Sequence, residues 1–217
     1  MFLRMREPVN ALTHLIGTIL SAIGLTVLIY IAVIQATSWH IVTFSIYGAS
    51  MILLYTASTL YHSLNLSEKS IEIFHKIDHM MIYVLIAGTY TPICLIPLRG
   101  GWGWSLFGVV WFLAITGILL KIFWFDAPRW LSTLFYVIMG WVVVIAFVPL
   151  INSVPFSGLM WLIAGGVSYT IGALIYGLKK PNIFKKFLGF HEIFHLFVLG
   201  GSFCHFIFML RYVMYIV

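Results

Sequence analysis

Seven apolar runs, each about twenty residues long, constrain the fold more than any other feature of this sequence. A helix of about 20 residues spans the hydrocarbon core of a bilayer. Apolar residues make up 62% of the chain and charged residues only 8%, whereas soluble chains carry about 25% charged residues. One small core cannot bury so much apolar surface, so lipid must act as the outer solvent. The sequence therefore predicts an all-α integral membrane protein.

The predicted architecture is one domain, residues 1–217, folded as a bundle of seven transmembrane helices. The connections between the apolar runs are too short to hold a soluble domain. The first run lacks a small-residue cleavage site, so we expect a retained helix and not a signal peptide. The predicted spans are residues 11–34, 41–62, 77–98, 102–121, 130–151, 156–178 and 189–215.

The basic residues predict the orientation of the bundle. With seven crossings, ten Lys and Arg fall on the side of the N-terminus and two on the opposite side. Cytoplasmic loops carry the excess of positive charge, so we expect the N-terminus in the cytoplasm and the C-terminus outside. No basic patch is formed, which argues against nucleic acid as a partner. The ten are Arg4, Arg6, Lys69, Lys76, Lys121, Arg129, Lys179, Lys180, Lys185 and Lys186, and the two are Arg99 and Arg211.

Histidines concentrate near the predicted cytoplasmic face, and ionisable groups within a membrane are costly and usually functional. His191 and His195 are four residues apart, so their imidazoles project from one helix face and can bind one metal ion. With Glu192 they form the H-E-x-x-H pattern of zinc proteases, but no acidic residue follows to supply a third ligand. We therefore expect the third ligand from another helix, and His62 is the best placed.

The other histidines near this face are left outside the predicted site. They are expected to form interhelical hydrogen bonds or to be solvated at the interface. They are His14, His75 and His79.

Asp78 is an acidic residue at the predicted start of a membrane segment. It is interpreted as a fourth metal ligand or as the base that contacts a metal-bound water. The alternatives are a carboxylate favoured by the helix dipole, or an ion pair with Lys76. Ser58 lies one turn before His62 and could position water or a substrate oxygen, unless it bonds its own backbone.

Two cysteines, Cys94 and Cys204, lie within apolar runs. Each is about 20 Å along its helix from the histidines. We expect neither to bind the metal.

The combination of these motifs resembles the haemolysin III family. It consists of Ser58 and His62 at the end of the second helix, Asp78 at the start of the third, and the pair His191 and His195. This family is the bacterial branch of the progestin and adiponectin receptor superfamily. Residues 7–14, 87–92 and 201–206 are also similar, and the likeness covers the chain. The resemblance implies a bacterial plasma-membrane protein with Zn²⁺ near its cytoplasmic face. It implies His62, His191 and His195 as ligands, with Asp78 and Ser58 near the zinc-bound water.

Three functions are compatible with this site, and in each the partner is membrane lipid, as substrate or ligand. The first function is hydrolysis, in which Zn²⁺ with an open fourth position would activate water to attack a lipid amide or ester, with Asp78 and Ser58 as catalytic residues. The resemblance implies this function, since receptor relatives and alkaline ceramidases are linked to ceramide hydrolysis. The family name implies a cytolysin, but a toxin must first cross water, for which this apolar chain is poorly suited. The third function is non-catalytic regulation of lipid state with a structural, four-ligand zinc.

Overall fold

The computed structural model describes residues 5–183 and 188–216 of the chain. Within these ranges the regular structure is helical, and six segments are long and apolar enough to cross a membrane. The chain is a multi-pass membrane protein. Arg4, Lys185 and Lys186 of the predicted charge distribution lie outside the described residues. The helices are α1 (Pro8–Gln35), α2 (Ser38–Ser63), α3 (Glu68–Leu95), α4 (Gly101–Phe123), α5 (Arg129–Trp141), α6 (Phe147–Ser153), α7 (Phe156–Leu178) and α8 (Phe190–Arg211).

Helix α3 begins nine residues before the predicted third span, so the expectation that residues 68–76 form a connecting loop was wrong. The Ser67 side chain caps the helix by accepting a hydrogen bond from the Ser70 amide at 3.4 Å. One turn further on, Glu72 Oε1 and Lys76 Nζ form an ion pair at 2.6 Å. The cap and the ion pair favour polar helical turns where apolar content alone indicated none.

Helix α3 is the exception among the seven predicted spans, because it is too polar to count as a membrane-crossing segment on composition. It is nevertheless central: residues 87–95 are all buried, and the helix packs against α2, α4 and α5. A helix enclosed by protein does not need an apolar surface. Its crossing of the membrane stays a prediction, as does the orientation of the termini.

The fifth predicted span is interrupted, since the 3₁₀ turn Val142–Ala146 separates α5 from α6. Tyr90 of α3 compensates for the interruption. Its hydroxyl donates to the Gly140 carbonyl at 2.7 Å and accepts from the Val143 amide at 2.9 Å. A break inside a membrane helix is tolerated where neighbouring groups satisfy the freed backbone in this way.

Close helix contacts bring α1, α2 and α8 together. Gly17 of α1 lies between Tyr55 of α2 and Leu199 of α8, so a Cβ at this position would collide with both side chains. On the other side of α8, Gly165 of α7 faces the ring of His205 in the same way. Small residues of this kind permit helices to associate in lipid, where no hydrophobic force drives them together.

Candidate metal centre

Three histidines converge at one end of the bundle, which we call the histidine end. His62 lies in the last turn of α2, and His191 and His195 lie in the first two turns of α8. Their candidate ligand nitrogens lie within 4.8 Å of one another, with His62 and His195 buried and His191 half-buried. The three side chains could hold a metal ion, and the predicted convergence of α2 and α8 is confirmed. That they bind a metal stays a prediction.

The separation of the nitrogens fits a tetrahedral metal ion. Nε2 of His62 lies 3.3 Å from Nε2 of His191. Two nitrogens bound to tetrahedral zinc at 2.0–2.1 Å are about 3.3 Å apart. Imidazole is also a donor that zinc prefers.

Glu7, which immediately precedes α1, orients His62. Its Oε2 lies 2.7 Å from Nδ1 of His62 and also accepts a hydrogen bond from Asn10 Nδ2 at 3.0 Å. The hydrogen bond with His62 lowers the pKa of Glu7 to about 2, so its carboxylate is ionised at neutral pH. An ionised carboxylate only accepts hydrogen bonds, so Nδ1 carries the proton. The lone pair of Nε2 is thereby directed toward the other histidines.

Thr13 of α1 orients His195 in the same way, through a hydrogen bond to Nδ1 of the ring. Its Oγ1 lies 3.2 Å from Nδ1 of His195 and donates its proton to the Asn10 carbonyl at 2.9 Å. Because the hydroxyl has one proton, it accepts a hydrogen bond from Nδ1 of His195. Nε2 of His195 is then the nitrogen left to bind a metal. Sequence reasoning missed both Glu7 and Thr13.

Asp78 borders the same site, but its explanation as a helix-start carboxylate was wrong. It lies ten residues after Glu68, the first residue of α3. The alternative ion pair with Lys76 was also wrong, because among the described residues Lys76 pairs with Glu72. The group of converging ligands comprises the three histidines without Asp78. Its role as a base stays a prediction.

Ser58 lies beside Asp78 on the wall of a shared cavity. Its side chain is 1% exposed, and its hydroxyl bonds no backbone group in the described part of the chain. The alternative in which it bonds its own backbone was therefore wrong. The hydroxyl interacts with the Asp78 side chain, and both residues line the cavity.

His14 was set aside by sequence reasoning, yet it lies against the cluster. Its ring stacks on that of His195, with the centroids 3.5 Å apart. It is 3% exposed, lines the cavity, and neither ring nitrogen has a hydrogen-bond partner within the described ranges. The sequence does carry a signal for the proximity of α1 to this cluster, because the otherwise apolar helix begins with Asn10, Thr13 and His14.

The remaining residues singled out in the sequence do not belong to the histidine group. His79 forms the expected interhelical hydrogen bond, with its Nε2 3.1 Å from the Tyr176 hydroxyl. Glu192 caps α8 by accepting from the Gly189 amide at 2.9 Å, so it is not placed as a protease base. Cys94 and Cys204 are free thiols and do not belong to the histidine group.

A cavity extends from the histidine end into the bundle. Its lining is mostly apolar and comes from α1, α2, α3, α5, α7 and α8. Ser58, Asp78, His191 and His195 lie at one end, whereas Thr89, Tyr90, Trp141, Tyr169 and His205 line the far end. An apolar cavity with a few polar groups is typical of small-molecule sites.

A family model described as "Haemolysin-III related" matches residues 2–206 of this sequence. The chain belongs to the haemolysin III family. This haemolysin III protein is 45% identical over 212 residues to "Hemolysin-3 homolog" of Bacillus subtilis (strain 168), covering 98% of this chain and 96% of the relative. It is 45% identical over 208 residues to "Hemolysin-3" of Bacillus cereus, covering 96% and 92% of the two chains. The human "Monocyte to macrophage differentiation factor" is 25% identical over 178 residues, covering 80% and 71%. These bacterial relatives point to the plasma membrane.

Proposed function

We propose that this haemolysin III protein is a zinc-dependent hydrolase that cleaves an amide or ester bond of a membrane lipid. One observation carries the proposal: within the described residues the cluster offers three metal ligands, not four, and it opens on an apolar cavity. Structural zinc is closed by four protein ligands, whereas catalytic zinc has three and an open position. The geometry therefore favours catalysis over a purely structural metal.

His62, His191 and His195 would hold the zinc, with Glu7 and Thr13 fixing the first and third of these rings. When bound, zinc supplies a lowered pKa for water and polarises a carbonyl. Outer partners of this kind are worth about 10–100-fold in metal affinity. The protein thus contributes a preorganised set of imidazoles beside an apolar cavity.

In this proposal, Asp78 and Ser58 assist hydrolysis. The Asp78 carboxylate accepts a proton from the attacking water as a C–O bond forms at the carbonyl carbon. The bond to the leaving amine or alcohol then breaks, and Asp78 returns the proton to that group. The Ser58 hydroxyl donates a hydrogen bond to the oxygen that gains charge. The apolar walls hold the acyl chain and exclude bulk water.

The experiment compares zinc content and lipid turnover in purified variants. His62→Ala, His191→Ala and His195→Ala should each lose most of the zinc and all turnover. Asp78→Asn should keep the zinc and lose about 10²–10⁴-fold in turnover, the range for general base catalysis. The double variant Cys94→Ala, Cys204→Ala is the control and should keep both.

Three results would contradict parts of this proposal. Equal zinc loss in Asp78→Asn would make Asp78 a ligand. Full zinc without turnover of any membrane lipid would favour a structural or sensory role. Zinc loss in the double cysteine variant would show that the metal binds in the opposite half of the bundle.

Membrane lysis is the second candidate, favoured by the names of the two Bacillus relatives. Dye-loaded vesicles separate it from hydrolysis. Leakage caused equally by wild type and by Asp78→Asn would support lysis independent of catalysis. Leakage lost in Asp78→Asn would make it a consequence of lipid cleavage.

A further inference from the structure

The far end of the cavity carries a buried histidine that the proposed hydrolysis does not use. His205 is 8% exposed and lines the cavity. Its Nε2 lies 3.2 Å from the Leu162 carbonyl, whereas its Nδ1 has no hydrogen-bond partner among the described residues. Buried polar atoms normally have a partner, so an unpaired one on a residue that lines a cavity points to a bound group.

The hydrogen bond to Leu162 determines what kind of group His205 can bind. A carbonyl only accepts, so Nε2 carries the proton of the neutral ring. Nδ1 is then an acceptor with a free lone pair. The ring cannot easily turn, because its Nε2 edge packs against Gly165 and Tyr169 lies edge-on at 5.4 Å between centroids. A ligand atom that meets Nδ1 must therefore donate a hydrogen bond.

Three neighbouring polar groups at the far end have already used their donors. The Tyr90 hydroxyl donates to Gly140, and Trp141 Nε1 donates to Thr170. The Thr89 hydroxyl donates to Leu85 at 2.8 Å. This end of the cavity, as far as its described lining shows, offers acceptors and no charged side chain. Such a lining suits a neutral hydroxyl and disfavours a carboxylate.

We propose that His205 forms a second subsite, which accepts a hydrogen bond from a hydroxyl on the chain of a bound lipid. His205 lies ten residues after His195 on α8, which places it about 15 Å along the helix from the metal ligands. The preferred ligand is thus a lipid with its carbonyl or carboxylate at the histidine end and a hydroxyl about 15 Å along its chain. The inference rests on the proposed function only for which end of the lipid meets the histidines.

The test measures binding without turnover, using zinc-loaded wild-type protein in lipid nanodiscs. The probes are octadecanoate, octadecanoate hydroxylated at carbon 12, and octadecanoate hydroxylated at carbon 2. Carbon 12 of an extended chain reaches the far end, whereas carbon 2 stays beside the carboxylate. One buried hydrogen bond should make binding of the carbon-12 probe about fivefold to tenfold tighter than that of the other two.

Variants then assign this preference to His205. His205→Phe keeps the ring volume but removes the acceptor, so the preference should disappear. His205→Gln should keep part of it, because its amide can donate to Leu162 and offer an oxygen in place of Nδ1. His40→Phe is the matched control: His40 is equally buried, but its nitrogens are paired with Thr37 and Val213. This variant should retain the preference.

Equal binding of all three probes to wild type would overturn the inference, as would a preference that survives in His205→Phe. Should His205→Phe fail to fold, the comparison of the three probes on wild type and the His205→Gln variant still test the inference. Selective binding without lipid hydrolysis would retain the subsite and refute the proposed enzyme. Lipid hydrolysis without selective binding would retain the proposed enzyme and refute the subsite.

Discussion

At the residue scale, we expect the interaction between Glu7 and His62 to determine how well the cluster binds a metal. Glu7→Gln keeps the shape but removes the charge that stabilises the Nδ1 proton of His62. Zinc affinity should fall about 10–100-fold, as for other outer partners of metal-bound histidines. Competition with a zinc chelator measures this change. Glu72→Gln, which removes the exposed carboxylate paired with Lys76, is the control and should leave affinity unchanged. Identical affinities in both variants would refute the role of Glu7.

A second residue-scale prediction concerns Thr13. Thr13→Val has nearly the same volume but cannot accept a hydrogen bond from His195, so zinc affinity should fall by about tenfold. Thr13→Ser keeps the hydroxyl and should therefore keep the zinc affinity of the wild type. Thr18→Val is the matched control on the same helix, because the Thr18 hydroxyl bonds only the His14 carbonyl. Chelator titration of the three variants tests the prediction, and a loss in Thr18→Val equal to that in Thr13→Val would contradict it.

Local spacing explains why sequence analysis found the histidines and missed their partners. The four-residue spacing of His191 and His195 is a property of one helix. Glu7 and Thr13 reach their histidines across 55 and 182 positions of sequence, and no local pattern encodes that pairing. The stacking of His14 on His195 also depends on how closely α1 and α8 approach.

At the scale of elements, Tyr90 should hold the interrupted α5 and α6 segment together. Tyr90→Phe removes one donor and one acceptor and leaves the Gly140 carbonyl and the Val143 amide unpaired. The free energy of unfolding should fall by about 1–3 kcal/mol. Tyr47→Phe is the control, because the buried Tyr47 hydroxyl has no partner in the described structure. Its removal should be neutral or stabilising. Denaturation in mixed detergent micelles compares the two, and equal destabilisation would be evidence against the bridge.

The apolar runs predicted the positions of the elements well but not their ends or interruptions. Hydropathy reports where lipid can solvate a helix, so it placed the start of the third span after residues 68–76, four of which are charged. The helix nevertheless includes these residues, because the Ser67 cap and the ion pair between Glu72 and Lys76 stabilise its first turns. The 3₁₀ turn Val142–Ala146 could not be predicted, because its stability depends on Tyr90 from another helix.

At the scale of the whole molecule, the central position of α3 links the histidine cluster to the apolar cavity. Asp78 lies beside the histidines, whereas Thr89 and Tyr90 on the same helix line the far end. Because residues 87–95 of α3 are all buried, this part of the helix can carry polar residues without exposing them to lipid. The polarity that weakens its hydropathy also supplies polar groups to the cavity wall.

The topology provides the last prediction, and α3 is where it is most informative. If α3 crosses the membrane, reporters fused after Leu66 and after Arg99 must lie in different compartments. With ten basic residues against two favouring a cytoplasmic N-terminus, a fluorescent protein should fold after Leu66, and a secreted phosphatase should be active after Arg99.

Fusions after Asp126 and after Val154 serve as controls on either side of the Arg129–Ser153 segment, which is strongly apolar. They should report cytoplasm and exterior, respectively. Finding Leu66 and Arg99 on one side would mean that α3 does not cross the membrane. The ends of α2 and α8 would then face opposite compartments, and His62 could not share a metal with His191 and His195. Leu66 in the cytoplasm and Arg99 outside would make one metal centre topologically consistent and would place it at the cytoplasmic face.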